Sequence, residues 1–442
     1  MQPSSDRRIA VGIDFGTTNS SIAISTGRAQ TELVAFSTAS GETTFSYRSV
    51  LYMDQLKESG KSRIHSWTGP AAIAQYLADG EKGRFIQSLK SHLSSRSLTG
   101  TAIFGRHYAL ETLISRILAD LRLHAERHLG GPVRSAMAGR PVRFVGAESE
   151  ADDAFALGRL RQAFELAGYE SVEFELEPIA AAYAYGSTLD HDELILIGDF
   201  GGGTSDFSLI TVGPGARRRP GGLIGSMGLG LAGDAFDARI IRKLVSPALG
   251  ADSMARSMKK ILPAVPAWIY SNLERWHYLS FLRTRDVAEL LKSAHARALE
   301  PEKIEALMNL IEEDLGYQLH QAVQRVKMEL SERETAQFQF HDGSMDLHIA
   351  VTRAEFEAMI ADQLAAIESC VEALFATTGV GIREVDRVFL TGGTSFVPAV
   401  RRIFESRFGA ERVKTGEAFT SVARGLALRA EEAALHRANP GM

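Results

Sequence analysis

One cysteine, Cys370, is all the thiol this 442-residue chain carries, which excludes an internal disulfide framework and fits a reducing compartment. It stands in AIESCVEAL, whose helical spacing predicts a buried structural residue. Long apolar runs are missing too. No window approaches the roughly eighteen continuous apolar residues of a membrane span, and MQPSSDRRIAVGIDF at the N-terminus has no apolar stretch of signal-peptide length. The expectation is a cytoplasmic chain that meets no membrane. A large excess of charge of one sign is missing as well: a net charge of −5 and a pI near 6.2 exert no global pull on nucleic acid. Any polyanion must therefore be held locally. With 45% apolar residues over this length, the chain fills more than one core, so two domains or two halves each with its own sheet are expected.

What the chain does have is a repeated phrase. GIDFGTTNSS, from Gly12 to Ser21, is echoed by GDFGGGTSDFS, from Gly198 to Ser208. Each lies between apolar runs that read as antiparallel strands, so each half opens on the same hairpin and the pattern is that of a duplicated α/β unit. A mixed segment with loops runs to about Gly105. YALETLISRILADLRLHAERHLGG then has helical periodicity and a glycine stop, SAMAG reads as a short strand, and DDAFALGRLRQAFELAG as a helix. EPIAAAYAYG is a small-residue helix with Pro178 in its first turn. From about Asp234 to Leu330 the pattern is wholly helical, with Trp268, Tyr270, Trp276, Tyr278 and Phe281 at spacings that mostly suit a helical core. Strands QFQFHDG and SMDLHIAVT follow, then an amphipathic helix, the buried-looking strand in DRVFLTGGTS and a helix from about Pro398.

In each hairpin a strand delivers an aspartate, Asp14 or Asp199, to glycines that let backbone N–H groups approach a ligand, which is how a loop cradles phosphate. Thr17, Thr18 and Thr204 add hydroxyl donors. Carboxylates beside phosphate need a cation between them, and Mg²⁺, held directly or through its waters, fits. Two such turns facing each other make a clamp for a polyphosphate.

GIDFGTTNS, EPIAAAYAYG, GDFGGGTSDFS, GLAGDAFD and FLTGGTSFVP resemble, in order and setting, the ATPase domain of the DnaK-type seventy-kilodalton heat-shock chaperones, members of the actin and sugar-kinase superfamily. The resemblance spans nearly the whole chain. It implies an α/β, two-lobed actin-like fold with duplicated ribonuclease-H-like domains and ATP or ADP, with Mg²⁺, in the cleft. Lobe I is expected over 1–189 with an insert at about 46–109, lobe II over 190–430 with an enlarged helical insert at about 234–325, and a tail over 431–442.

By the same resemblance Asp14 and Asp199 hold Mg²⁺ through water and Asp206 supports the cation shell. Gly16, Thr17, Thr18, Asn19, Gly201, Gly202, Gly203 and Thr204 bind phosphates. Lys90, in FIQSLKSHL, matches the lysine that helps place the attacking water, and Glu177 the glutamate that opens a connecting helix. Hydrolysis spreads charge over the γ-phosphoryl oxygens, so a lysine, a cation and a positioned water supply most of what it needs. Gly233, Gly392, Gly393 and Thr394 pass near ribose and base, with Lys327 and Ser331 on the adenosine side. Departures gather there: the family has a glutamate at Gln324, arginines at Met328 and Phe396, and a glycine at Ala232. The family's chaperones continue into a β-rich peptide-binding domain with a helical lid; the expectation is that this chain lacks it, like the short YegD-type members.

Competing motifs give way. GLGLAG, Gly228 to Gly233, fits a dinucleotide fingerprint but no strand ending in an acid follows at the required distance. HAERH, His124 to His128, lacks a third metal ligand and reads as an exposed helix face. SMKK, Ser257 to Lys260, stands without partner motifs, and Arg217 to Arg219 read as a solvated loop tip. Three readings remain open: a Mg²⁺-dependent ATPase of chaperone type, with protein clients or co-chaperones as partners; a nucleotide-gated binding module with little turnover; and a small-molecule kinase on the same fold. A filament-forming, actin-like role is a further alternative.

Overall fold

The computed structural model describes residues 10–438 apart from 28–29, 39–40, 59–60, 79–82, 187–188, 217–221, 258–259, 275–277, 314, 343–344 and 416–417. The chain divides into two compact units, one of Met1–Gly230, Cys370–Ser395 and Phe404–Met442, the other of Leu231–Ser369 and Phe396–Ile403. The boundary expected near residue 189 falls inside the first unit.

The first unit contains both hairpins, each heading a sheet. Strands β1 (Ala10–Phe15), β2 (Asn19–Gly27) and β3 (Gln30–Leu33) run antiparallel, and β4 (Ser135–Arg140) and β5 (Ser171–Leu176) extend the sheet in parallel, in the order β5-β4-β1-β2-β3. The second sheet repeats this. Strands β6 (Glu193–Phe200), β7 (Ser205–Val212) and β8 (Leu223–Leu229) are antiparallel, β9 (Arg387–Thr391) and β10 (Val413–Thr415) join in parallel, and the order is β10-β9-β6-β7-β8. The echo in the sequence is thus a duplication of topology, as in ribonuclease-H-like folds.

Strand alternation decides which face each helix covers. Val11, Ile13 and Phe15 bury with the apolar faces of α1 (Leu110–Leu129) and α2 (Glu150–Leu166). Helix α1 stops where expected, at Gly130, whose left-handed φ of 67° carries its N–H back to the Glu126 carbonyl. The opposite face of β1 shows Gly12, and the last helix, α4 (Ala418–Ala438), lies so close there that a Cβ on Gly12 would stand 2.3 Å from the Ala427 nitrogen. In the second sheet Ile195 and Ile197 bury against Ala182 of α3 (Glu177–Gly186). Helices α3 and α4 cross at their small residues: a Cβ on Gly425 would lie 1.7 Å from the Ala180 carbonyl oxygen. This crossing pair covers the Gly12 face of one sheet and the Ile197 face of the other.

The second unit is mostly helical, with Phe236, Ile240, Leu307, Val323 and Phe356 in its interior. It is not wholly helical between Asp234 and Leu330, as the sequence pattern predicts. Met254–Ser257 pairs with Lys260–Pro263 as an antiparallel ribbon, and the SMKK tetrapeptide falls on its tip, partly outside the described residues. Backbone bonds from Arg256 N–H to Arg297 O (3.0 Å) and Leu299 N–H to Met254 O (2.7 Å) give the ribbon a third partner. Gly250, with φ 84°, and Pro263 and Pro266 interrupt any helix across it. Of the aromatic cluster, Tyr270 is buried with its hydroxyl on the Leu249 carbonyl, whereas Trp268 is 48% exposed and outside the core. Trp276 and the Arg217 to Arg219 tip lie outside the described residues. The segment before Gly105 is more ordered than a looped stretch, with a sheet built from Leu51–Glu58, Lys61–Thr68 and Arg84–Ile86.

Candidate functional site

Each hairpin places its aspartate by the same local device. In the ladders Phe15 pairs with Ser20 and Phe200 with Ser205, so four residues turn the chain in both cases, Gly16–Asn19 and Gly201–Thr204. The phenylalanine beside each aspartate anchors the strand end: Phe15 is 1% exposed, and Phe200 meets the rings of Phe207 and Phe404 edge-on. Because neighbours on a strand point to opposite faces, burying the phenylalanine turns Asp14 or Asp199 to the face on which the α3–α4 pair packs. Both aspartates therefore look toward the helix that begins with Glu177.

Glycine is required at the first of these turns and just after β9. A Cβ on Gly16 would stand 2.1 Å from the Asn19 carbonyl oxygen, and Gly392, at φ 86°, would bring one to 1.9 Å from the Phe200 carbonyl oxygen. Around Gly203 a Cβ would meet nothing within 4 Å, so that side of the second turn is open. The first turn is braced from outside, the Thr18 carbonyl accepting from the Ser49 N–H at 2.9 Å and the Asn19 side-chain oxygen from Arg48 at 3.3 Å.

Lys90 is buried and donates to Glu177 Oε1 at 2.7 Å. Glu177 has room there because residue 139 on β4 is glycine; a Cβ at Gly139 would stand 3.0 Å from the Glu177 Cγ. Withdrawal from water pushes the Asp14 carboxyl up to about 8, with Glu177 and Asp199 adding repulsion and Lys90 opposing it. Burial likewise raises Asp206 to about 7, aided by Asp199 and Glu177. Asp199 is raised chiefly by burial, against a hydrogen bond from Thr391 Oγ1 at 2.6 Å. Lys90 has its ammonium favoured by Glu177 and Asp14 over the opposing effect of burial. Asp14, Asp199, Asp206 and Glu177 thus outnumber the one lysine, and their repulsion is what a hard, oxygen-seeking cation would relieve. Among the described residues no group of three His, Cys, Asp or Glu side chains stands ready to grip a metal directly. Residues that hold a cation through its water shell need not stand so close.

The structure therefore brings together Asp14, Lys90, Glu177, Asp199 and Asp206, with Thr17, Thr18, Gly201 and Thr204 at the adjoining turns. Thr394 is buried beside Ser395, whose hydroxyl bonds the Gly392 carbonyl at 2.6 Å. In the second unit Lys327 Nζ stands 2.6 Å from buried Asp237 Oδ1 and 3.4 Å from the Gly233 carbonyl oxygen, and Ser331 Oγ donates to the Lys327 carbonyl. Gly233, Lys327 and Ser331 are thus neighbours, while Met328 and Phe396 are 67% and 51% exposed. Thr391 was not legible as a site residue. Its signal is weak, a threonine closing a buried strand before two glycines, and only the register with Asp199 gives it meaning.

The rejected motifs have structural partners of their own. His124 packs edge-on against Phe36 and Tyr47 and faces Asp120, and His128 Nε2 stands 3.3 Å from Glu32, so the two face different carboxylates and His124 is less exposed than expected. Gly228 to Gly233 ends β8 and opens the helix Gly233–Ile240. Cys370 is buried and free, as its spacing predicts.

The chain has relatives among known proteins. The family model described as Hsp70 protein matches residues 73–259 and 303–436. The chain is similar to the chaperone protein DnaK of Thermosipho melanesiensis (strain DSM 12029 / CIP 104789 / BI429), 26% identical over 431 residues, 97% of this chain and 60% of the relative. It is also 26% identical to the chaperone protein DnaK of Thermosipho africanus (strain TCF52B) over 426 residues, 96% of this chain and 59% of that one. The chain thus spans about 60% of the length of these curated relatives.

Proposed function

Because the chain belongs to the Hsp70 family, whose members are ATPases of the actin-like fold, we propose that it binds ATP with Mg²⁺ and hydrolyses it to ADP and phosphate. The observation that carries this reading is the buried Lys90–Glu177 pair beside three aspartates whose carboxyls burial has raised. Water attacks the γ-phosphorus, the bond to the bridging oxygen breaks, and the electron pair leaves with ADP. Lys90 presents its ammonium to the charge that spreads over the γ-phosphoryl oxygens and helps place the water, while Glu177 fixes its direction. The turns at Gly16–Asn19 and Gly201–Thr204 supply backbone N–H groups and hydroxyls to the phosphates. Asp14 and Asp199 would hold Mg²⁺ through its water, Asp206 supporting them; when bound, the ion neutralises phosphate charge. Gly233, Lys327 and Ser331 would serve the adenosine, with Gly392 and Gly393.

The test is single-turnover hydrolysis with Mg²⁺ and with a chelator, alongside Asp199→Ala. We expect Mg²⁺-dependent turnover in the natural protein and its loss in the variant, with the fold retained. Turnover unchanged by the substitution would remove the mechanism.

A second reading is a nucleotide-gated binding module with little turnover. The exposed apolar side chains of Met328 and Phe396, where the resemblance places arginines, favour it. Tight ATP binding without phosphate release, with a partner captured in one nucleotide state only, would select this reading. Clients and co-chaperones, cytoplasmic residence and the two-lobe division near residue 189 belong with the ATPase reading. No described helix is long and apolar enough to cross a membrane.

A further inference from the structure

The segment that carries Lys90 has little structure of its own. Ser88 precedes it in the left-handed region at φ 57°, Leu89–His92 make a single 3-10 turn, and 93–98 form no helix or strand. Yet Lys90 is 7% exposed and aimed at Glu177. Something must hold the backbone end of that lysine.

Arg159, 6% exposed on α2, answers this. Its Nη1 donates to the carbonyls of His92 (3.4 Å), Leu93 (3.4 Å) and Ser95 (3.1 Å), and its Nη2 to that of Leu98 (3.1 Å). Its Nε donates to Glu111 Oε1 at the start of α1, and its guanidinium stands 5.5 Å from the centre of the Phe155 ring. The Leu93 N–H in turn bonds the Lys90 carbonyl at 3.3 Å. An irregular segment does not satisfy all of its own carbonyls, and the five N–H donors of a guanidinium, set in a fixed fork, reach more of them at once than the three of an ammonium. Burying an ion pair is a poor way to gain stability, because apolar residues of the same volume often do as well.

We propose that Arg159 is the positioning residue for Lys90: held by Glu111, it fixes the 92–98 backbone and thereby sets where the Lys90 ammonium stands beside Glu177. For the part Lys90 plays in the reaction this rests on the ATPase reading above. Its own content is structural and is tested separately.

Two variants test it, Arg159→Lys, which keeps a cation for Glu111 but loses the fork, and the double variant Arg159→Met with Glu111→Leu, which leaves no buried charge unpaired. In nucleotide-free protein, amine acylation read by mass spectrometry shows Lys90 protected in the natural chain, and both variants raise its labelling several-fold while other lysines keep their rates. In single turnover both lower the rate by about tenfold or more with ATP affinity unchanged, as misplacement of a reacting group does. In a Lys90→Ala background the same changes lower the rate no further. Unchanged Lys90 labelling in the folded Arg159→Lys variant overturns the proposal, and so does a rate loss that adds fully to that of Lys90→Ala. If the natural protein hydrolyses no ATP, the ATPase reading falls and the labelling result still decides the role of Arg159.

Discussion

Thr391 Oγ1 donates to Asp199 Oδ1 at 2.6 Å across neighbouring parallel strands whose register sets the two residues side by side. The bond favours the ionised form of an aspartate that burial otherwise drives toward its protonated form. A strand with no part in either hairpin thus tunes the carboxylate that the second hairpin delivers.

Thr391→Val removes that bond at nearly constant volume. We expect the Mg²⁺ concentration for half-maximal hydrolysis to rise several-fold, with a stability loss of about 1 kcal/mol. A Mg²⁺ titration of the initial rate checks this. An unshifted titration would reduce the bond to a structural one.

The raised carboxyls have a consequence for stability without nucleotide. Asp14 titrates near 8 and Asp206 near 7 in the folded chain, against 3.8 for an ordinary aspartate. Between those values the folded state keeps protons that the unfolded state has lost, so stability falls as pH rises through the window. That contribution is whole below about pH 4 and gone above about pH 8. Mg²⁺ favours the ionised carboxylates and offsets the loss, so the gain in Tm between chelator and Mg²⁺ should be small at pH 5 and grow toward pH 8. A gain independent of pH would show that these aspartates do not meet the ion.

Gly425→Val drives a side chain into the Ala180 carbonyl where α3 and α4 cross. The helices must part, and we expect a loss of about 3 kcal/mol or more, at the upper end for overpacking. Gly158→Ala is the control, since a Cβ there would meet nothing within 4 Å on an ordinary helix. It should stabilise by roughly 0.5–1 kcal/mol through helix propensity. Urea midpoints of the two variants that move together would contradict the crossing.

What the sequence displays and what it hides divide along range. The Asp-Phe-Gly turns, Gly130 and the Pro178 helix start are legible because each is decided within a few residues by backbone conformation and alternation. The convergence of Asp14, Asp199, Asp206, Glu177 and Lys90 follows from the repeated hairpin together with the family motifs. Thr391 and Arg159 were not legible. Their partners lie 192 and 48 residues away, and no local pattern marks a threonine that will tune an aspartate or an arginine that will gather four carbonyls. The ribbon at 254–263 was misread as helix for the same reason, since its pairing with 297–299 outweighs local propensity. The aromatic run misled at Trp268 because periodicity shows a face without showing what covers it.

The close fit of Gly12 beneath Ala423 and Ala427 also sets an order of events during synthesis. The strand that carries Asp14 leaves the ribosome long before α4, the helix that closes over it. Until that helix emerges, the face of Gly12, Ala23 and Met137 waits uncovered, and the cradle beneath α3 stays half built. The face that bears Asp14 is therefore complete only when α4 docks.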